Sequence, residues 1–243
     1  MKALIFAAGL GSRLKPLTDT TPKALLPIGG KPMLEHVILK LKASGFNELV
    51  INIHHHGQQI IDYLQSKDNF GLNIHISDER DCLLDTGGGI KHAQQFLDGK
   101  EPFLVHNADI LSNVDLKQLY QYHSHSLATL LVSQRESSRH LLFDKENRLC
   151  GWQNRETGEV KSPHPNFIPS MYDGYAFSGI HVISPEIFKW MDTWTGKFSI
   201  INFYLAICEK ANIQAYPLNN LKLLDIGKPE ALVKAEEWLK QHS

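Results

Sequence analysis

Two glycines, one arginine and one lysine near the N-terminus have the types and spacing to hold a polyphosphate. The stretch runs Leu4-Ile5-Phe6-Ala7-Ala8-Gly9-Leu10-Gly11-Ser12-Arg13 and continues through Pro16-Leu17-Thr18 to Pro22-Lys23. An apolar run short enough to be a buried strand gives way to small residues, and then to two cations. Glycines let backbone N–H groups come close to phosphate oxygens, and successive N–H groups in such a turn form an anion-binding concavity. Arg13 and Lys23 add the full charges that the backbone lacks. At an effective dielectric near 20, two unit charges about 4 Å apart interact by roughly 4 kcal/mol, so a few such contacts can hold a triphosphate against water. Ala8, Gly9, Gly11 and Ser12, with Arg13 and Lys23, are the predicted nucleotide-binding residues, and Arg13 and Lys23 the predicted catalytic pair.

Two carboxylates complement this turn. Asp109 ends an apolar strand in Asn107-Ala108-Asp109, and Asp225 ends another in Leu223-Leu224-Asp225. An aspartate after a strand is often only a turn former. Two of them at strand ends, in a chain with a phosphate turn, can supply the one or two carboxylates that magnesium uses beside phosphate oxygens and water. A third feature, Thr86-Gly87-Gly88-Gly89, is either flexible punctuation or a backbone brought close to a flat ligand. Its expected place across the sheet from the first turn favours base recognition by Gly87 and Gly88.

The glycine spacing departs from two familiar loops. A dinucleotide fingerprint needs a third glycine where Leu14 stands, and Gly-Lys-Ser/Thr of the P-loop is absent. The run Gly9-Leu10-Gly11-Ser12-Arg13-Leu14-Lys15-Pro16-Leu17-Thr18, followed by Pro22-Lys23-Ala24-Leu25-Leu26-Pro27, instead resembles the signature of the sugar-1-phosphate nucleotidyltransferases. Within that family, Leu84-Asp85-Thr86-Gly87-Gly88-Gly89-Ile90 is most similar to the base loop of the N-acetylmuramate-1-phosphate uridylyltransferases; a heptose-1-phosphate guanylyltransferase branch has a similar loop.

The resemblance implies transfer of a nucleoside monophosphate from a nucleoside triphosphate, UTP favoured, to a sugar 1-phosphate, with Mg²⁺ on Asp109 and Asp225. It implies a part in nucleotide-sugar biosynthesis and cell wall recycling. It places the sugar phosphate near Asn107, Gly179 and Arg139, Gly179 matching a glycine that lies against the sugar ring. Two departures stand out. Ala108 replaces a usual glycine, and Cys150-Gly151-Trp152-Gln153-Asn154-Arg155 replaces a Glu-Lys-Pro stretch whose lysine holds the sugar phosphate. That contact then falls to Lys23, Arg139, Arg155 or Lys161. The alternatives are a guanylyl- or cytidylyltransferase acting on mannose 1-phosphate, a heptose phosphate or phosphocholine, and a non-catalytic nucleotide-sugar sensor.

The elements that must position these residues follow from periodicity. Strands are expected at Leu4–Phe6, Glu48–Ile53, Leu72–Ser77, Pro102–His106, Ala128–Ser133, Tyr175–Ile183, Ile213–Pro217 and Leu221–Asp225. Helices are expected at Met33–Ser44, with Pro32 at its first position, and at Gly57–Ser66, Thr86–Leu97, Asp115–His125, Ser199–Ala211 and Pro229–Gln241, with another starting at Ser184-Pro185. The alternation predicts an α/β fold: three layers, Rossmann-like, around a mixed, mostly parallel sheet, as one domain spanning 1–243. Residues 1–134 form its nucleotide-binding half, 135–227 its lid and sugar-binding part, and 228–243 its C-terminal helix. Polar Arg135–Asp173 reads as a hairpin and lid rather than core.

Composition narrows the partners. With 25 Lys plus Arg against 26 Asp plus Glu in 243 residues, a broad nucleic-acid surface is excluded and any anion site is local. The N-terminal apolar run is too short for a membrane span. Three scattered cysteines, Cys82, Cys150 and Cys208, fit reduced thiols in the cytoplasm. A monomer or small homo-oligomer is expected. His54-His55-His56 is read as solvated loop, because neighbours on a strand point to opposite faces.

Overall fold

The computed structural model describes residues 1–242, with side chains to 240, so Ser243 at the end of the expected helix 228–243 lies outside the described residues. The core begins with two parallel strands whose apolar runs are buried on both faces: β1 (Lys2–Phe6), then, after a small hairpin of β2 (Pro27–Ile28) and β3 (Lys31–Pro32) and helix α1 (Met33–Ala43), β4 (Glu48–Ile53). Helix α2 (Gly57–Ser66) crosses over to β5 (Asn73–Asp78). Helices α3 (Asp85–His92) and α4 (Gln94–Leu97) lead to β6 (Phe103–Asn107), which lies on the other side of β1. Such crossovers are what parallel strands require.

A short β7 (Ile110–Ser112), helix α5 (Leu116–Tyr122) and β8 (Ala128–Ser133) follow. Then come β9 (Arg139–Phe143), β10 (Leu149–Asn154), β11 (Val160–Lys161) and the long β12 (Asp173–Ile183). The chain closes with α6 (Ile187–Trp190), α7 (Ile200–Ile207), β13 (Ile213–Pro217), β14 (Leu223–Asp225) and α8 (Pro229–His242). The main sheet runs β11-β10-β9-β12-β6-β1-β4-β5, with β8 pairing β12 and β13 pairing β8. β12 is antiparallel to β6, β8 and β9, and so joins the parallel half to the hairpin half.

Apolar clusters cover both faces of the sheet. One gathers Phe103, Phe143, Phe203 and Tyr204 under α3 and α7, and the other Leu34, Ile38, Phe46 and Leu116 under α1 and α5. A third, smaller cluster of Leu14, Leu26, Ile28, Met33, Leu111 and Ile226 is closed by Ala235 of α8. Among the described residues no helix is long and apolar enough to cross a membrane.

Several expected boundaries move for local reasons. Pro32 ends β3 and caps α1 with φ −54° and ψ 146°, outside the helical region, so Met33 takes the first helical position. The expected helix at Thr86–Leu97 divides at Ala93. Asp115 is a cap, its Oδ1 accepting from Gln118 N–H at 2.9 Å, and its helix stops at Tyr122. Ser199 caps α7 in the same way, accepting from Ile201 N–H at 3.2 Å. The segment expected as lid rather than core is partly core: Leu141, Leu142, Phe143 and Leu149 are at most 2% exposed, because β9 and β10 extend the main sheet, and Leu141, Phe143 and Leu149 join its hydrophobic cluster.

Candidate active site

The carboxyl ends of β1, β4 and β6 face a cleft of about 440 Å³, where ligands of open α/β sheets bind. Residues 8–13, Lys23, Asn107 and Asp109 line it, with Lys23 packed beside the turn: a Cβ on Gly11 would lie 3.1 Å from Lys23 Cβ. Gly11 has φ 64°, and a Cβ there would lie 2.7 Å from Thr18 Cγ2; Thr18 Oγ1 donates to Gly11 O at 2.9 Å. Local chain chemistry thus fixes the turn. Gly9 differs, since a Cβ on it would meet nothing within 4 Å and would project into open space. Among the described residues, none of the N–H groups of residues 9–13 donates to another part of the chain, so they remain available to an anion.

The turn is held from below by two residues that the sequence reading passed over. Asn52 Oδ1 accepts from the N–H groups of Ala7 at 2.7 Å and Ala8 at 3.2 Å, and Asn52 Nδ2 donates to Glu79 Oε1 at 2.8 Å. Glu79 Oε2 in turn accepts from Leu84 N–H at 3.1 Å. Both side chains are 2% exposed and both line the cleft. Their signal in the sequence was one amide inside the apolar run Leu49–Ile53.

The acidic pair is assembled by a two-stranded ribbon. β14 runs antiparallel to β7 with Asp225 opposite Ile110, and Ile226 N–H donates to Asp109 O at 2.9 Å, which sets the two aspartates side by side. Lys23 Nζ pairs with Asp109 Oδ2. A Cβ on Gly227 would fall 2.7 Å from Arg13 Nη2 and 3.0 Å from Asp225 Oδ1, so the bare glycine leaves room for both groups. The Asp225 carboxyl is pushed above its ordinary range, first by desolvation and then by the charge of Asp109, while Lys23, Arg13 and Arg135 pull the other way. Two adjacent carboxylates whose like charges repel, with no third His, Cys, Asp or Glu gathered about them among the described residues, suit a hard divalent ion whose other ligands are phosphate oxygens and water.

Other predicted residues lie elsewhere. Asp85 and Thr86 line the cleft, but Gly87 and Gly88 turn away from it: their N–H groups donate to Phe198 O at 2.9 and 3.2 Å. A Cβ on Gly87 would strike the Phe198 ring, and one on Gly88 would lie 2.6 Å from Gly196 O, so the triplet's tight approach is to the segment before α7. Gly179, with φ 72°, sits where the β12–β8 register shifts, and a Cβ would fall 2.6 Å from Asn107 Nδ2. Gly179 therefore packs against Asn107, which lines the cleft.

Arg139 does not reach it. It is exposed at the start of β9, opposite Asn154, and strand alternation turns His140 inward in its place. Lys161 lies 5.1 Å over the Trp152 ring and pairs with Glu159. Arg135, unmarked in the sequence reading, approaches instead, donating to Phe177 O at 2.9 Å. Lys197 also lines the cleft. The His55 and His56 rings lie with centroids 3.8 Å apart, tilted by 49°, and His56 Nε2 lies 3.1 Å from Asp19 O.

A parallel sheet whose carboxyl rim carries an open glycine turn, two cations and two adjacent carboxylates defines a nucleotide-binding α/β protein built for phosphate chemistry. The nucleotidyl transferase family profile matches residues 2–143, more than half of the chain, and the chain belongs to that family. It is 37% identical over 190 residues to the N-acetylmuramate alpha-1-phosphate uridylyltransferase of Neisseria meningitidis serogroup B, covering 77% of each chain. Over 246 residues it is 28% identical to the enzyme of the same name from Caulobacter vibrioides, covering 98% of this chain and 96% of that one. In fold it is similar to a glucose-1-phosphate thymidylyltransferase structure from Bacillus anthracis, with TM-score 0.79 and 19% identity over 98% of this chain and 94% of the other.

Proposed function

We propose that this chain transfers a uridylyl group from UTP to N-acetylmuramate 1-phosphate, or to a similar hexose 1-phosphate, giving the UDP-sugar and pyrophosphate in the cytoplasm. The observation that carries the reading is the row of unpaired N–H groups at residues 9–13 beside Lys23, Arg13 and the paired aspartates. The two relatives that share the uridylyltransferase name favour this acceptor and base.

The acceptor phosphate is already an anion, so attack on the α-phosphorus needs no general base and no covalent enzyme intermediate. The obstacle is repulsion between two polyanions. The turn N–H groups and Arg13 hold the triphosphate and draw off charge as pyrophosphate departs. Lys23 stabilises the α-phosphoryl group. Asp109 and Asp225 would hold a magnesium ion, whose charge lessens the repulsion between the phosphates.

The test is pyrophosphate release with magnesium, across a panel of nucleoside triphosphates and sugar 1-phosphates. UTP with N-acetylmuramate 1-phosphate is expected to give the highest kcat/KM, and Lys23→Ala to lower kcat by about a hundredfold or more with an unchanged melting curve. Nucleotide binding without turnover on any acceptor would make the protein a sensor and defeat the reading.

A further inference from the structure

A second cavity, of about 400 Å³, opens between the end of β8, the turn after β10 and the start of β12, and it shares no lining residue with the main cleft. Arg135, Arg155 and His140 give it its character. Arg155 lies over Gly174, where a Cβ would sit 3.1 Å from Arg155 Nη2, and Arg155 N–H donates to Ser138 O at 2.7 Å, which fixes the turn that carries it. Arg135 is held by Phe177 O, two residues before Gly179, and its guanidinium feels the charge of Asp225. The Arg135 end of the cavity therefore lies toward Gly179 and Asp225.

Three features mark it as a binding site. Neither guanidinium has a carboxylate within 4 Å among the described residues; Glu136, the one acidic residue on the wall, forms no such pair either. The His140 imidazole is only 4% exposed, and its Nδ1 has no hydrogen-bond partner. Burial first, and then Arg155 and Arg135, keep that ring neutral, so it adds a donor or acceptor without adding a third charge. Two forked donors around one pocket match a carboxylate, which accepts through both oxygens. The acceptor's 1-phosphate is already accounted for, because it must reach the α-phosphorus beside Asp109 and Asp225.

We propose that Arg135 and Arg155 bind a carboxylate carried on the sugar ring of the acceptor, and so select acidic sugar 1-phosphates. This rests on the reading above as a sugar-1-phosphate nucleotidyltransferase. N-acetylmuramate 1-phosphate bears such a group as a lactyl ether; N-acetylglucosamine 1-phosphate is the same sugar without it. The pair isolates the interaction.

The experiment measures kcat/KM for both sugars, with UTP and magnesium, in the native enzyme, Arg155→Gln and Arg155→Lys. The native enzyme is expected to prefer the acidic sugar, and Arg155→Gln to lower the ratio of the two kcat/KM values at least about tenfold, mainly through KM of the acidic sugar. Arg155→Lys should recover part of the ratio by restoring charge without the fork. Equal losses on both sugars would overturn the proposal, by giving Arg155 to the 1-phosphate or to the fold, as would an unchanged ratio. A native enzyme that turns over neither sugar sinks the parent reading instead, so the two failures are distinct.

Discussion

At Gly11 the backbone is left-handed and a Cβ would press on Thr18, whereas at Gly9 a Cβ would stand in the empty cleft. The two positions therefore separate folding from binding. Gly11→Ala incurs about 1–2 kcal/mol of backbone strain and should lower the melting temperature by about 2–8 °C. Gly9→Ala should melt like the native protein and lose between about ten- and a hundredfold in kcat/KM for UTP, because the methyl displaces the triphosphate from the turn. Native kinetics in Gly9→Ala would move the nucleotide away from residues 9–13. The sequence showed both glycines but not this difference, which depends on the position of Thr18 and on which way each Cα faces.

Among the elements, β1 and β4 exchange more than their ladder. Asn52 ties the end of β1 to Glu79 after β5, so the phosphate turn and the 79–84 loop rest on a single amide. Asn52→Ala leaves two N–H groups and a carboxylate oxygen without partners, at about 1–3 kcal/mol each where water does not replace the amide. A loss of about 2 kcal/mol or more in urea unfolding is expected, together with a lower kcat/KM; a variant unchanged in both would show that the turn stands unaided. Asn52 stood out in its apolar run, but its partner lies 27 residues away and no local pattern names it. The same limit applied to Gly87 and Gly88, whose close neighbour is Phe198, and to Arg135, which looked like loop polarity until β12 passed beneath it. Asp109 and Asp225 were legible because strand ends are local features. Their adjacency is a property of the β7–β14 ribbon.

Across the whole molecule, several imidazoles are folded away from water. Burial lowers His106 to about 4, His123 to about 4 and His181 to about 3, against an ordinary value near 6.5. Such groups stay neutral in the folded chain and take up protons in the unfolded one. Their contribution to stability is complete above about pH 6.5 and is lost as pH falls toward the folded values, by up to about 1.4 kcal/mol per pH unit for each group. Melting temperatures should hold steady from pH 8 to 7 and then drop steeply between pH 6.5 and 4. A flat profile through that interval would contradict the burial of these rings.

The smallest apolar cluster sets a separate limit. Leu14 and Ile226 adjoin Arg13 and Asp225 in the chain, and both are anchored in the thin layer that α8 closes with Ala235, Leu232 and Trp238. Thin layers loosen at lower free energy than the main core. On warming, the enzyme should fall silent several degrees before circular dichroism registers any loss of helix or strand, and cooling from that interval should bring turnover back.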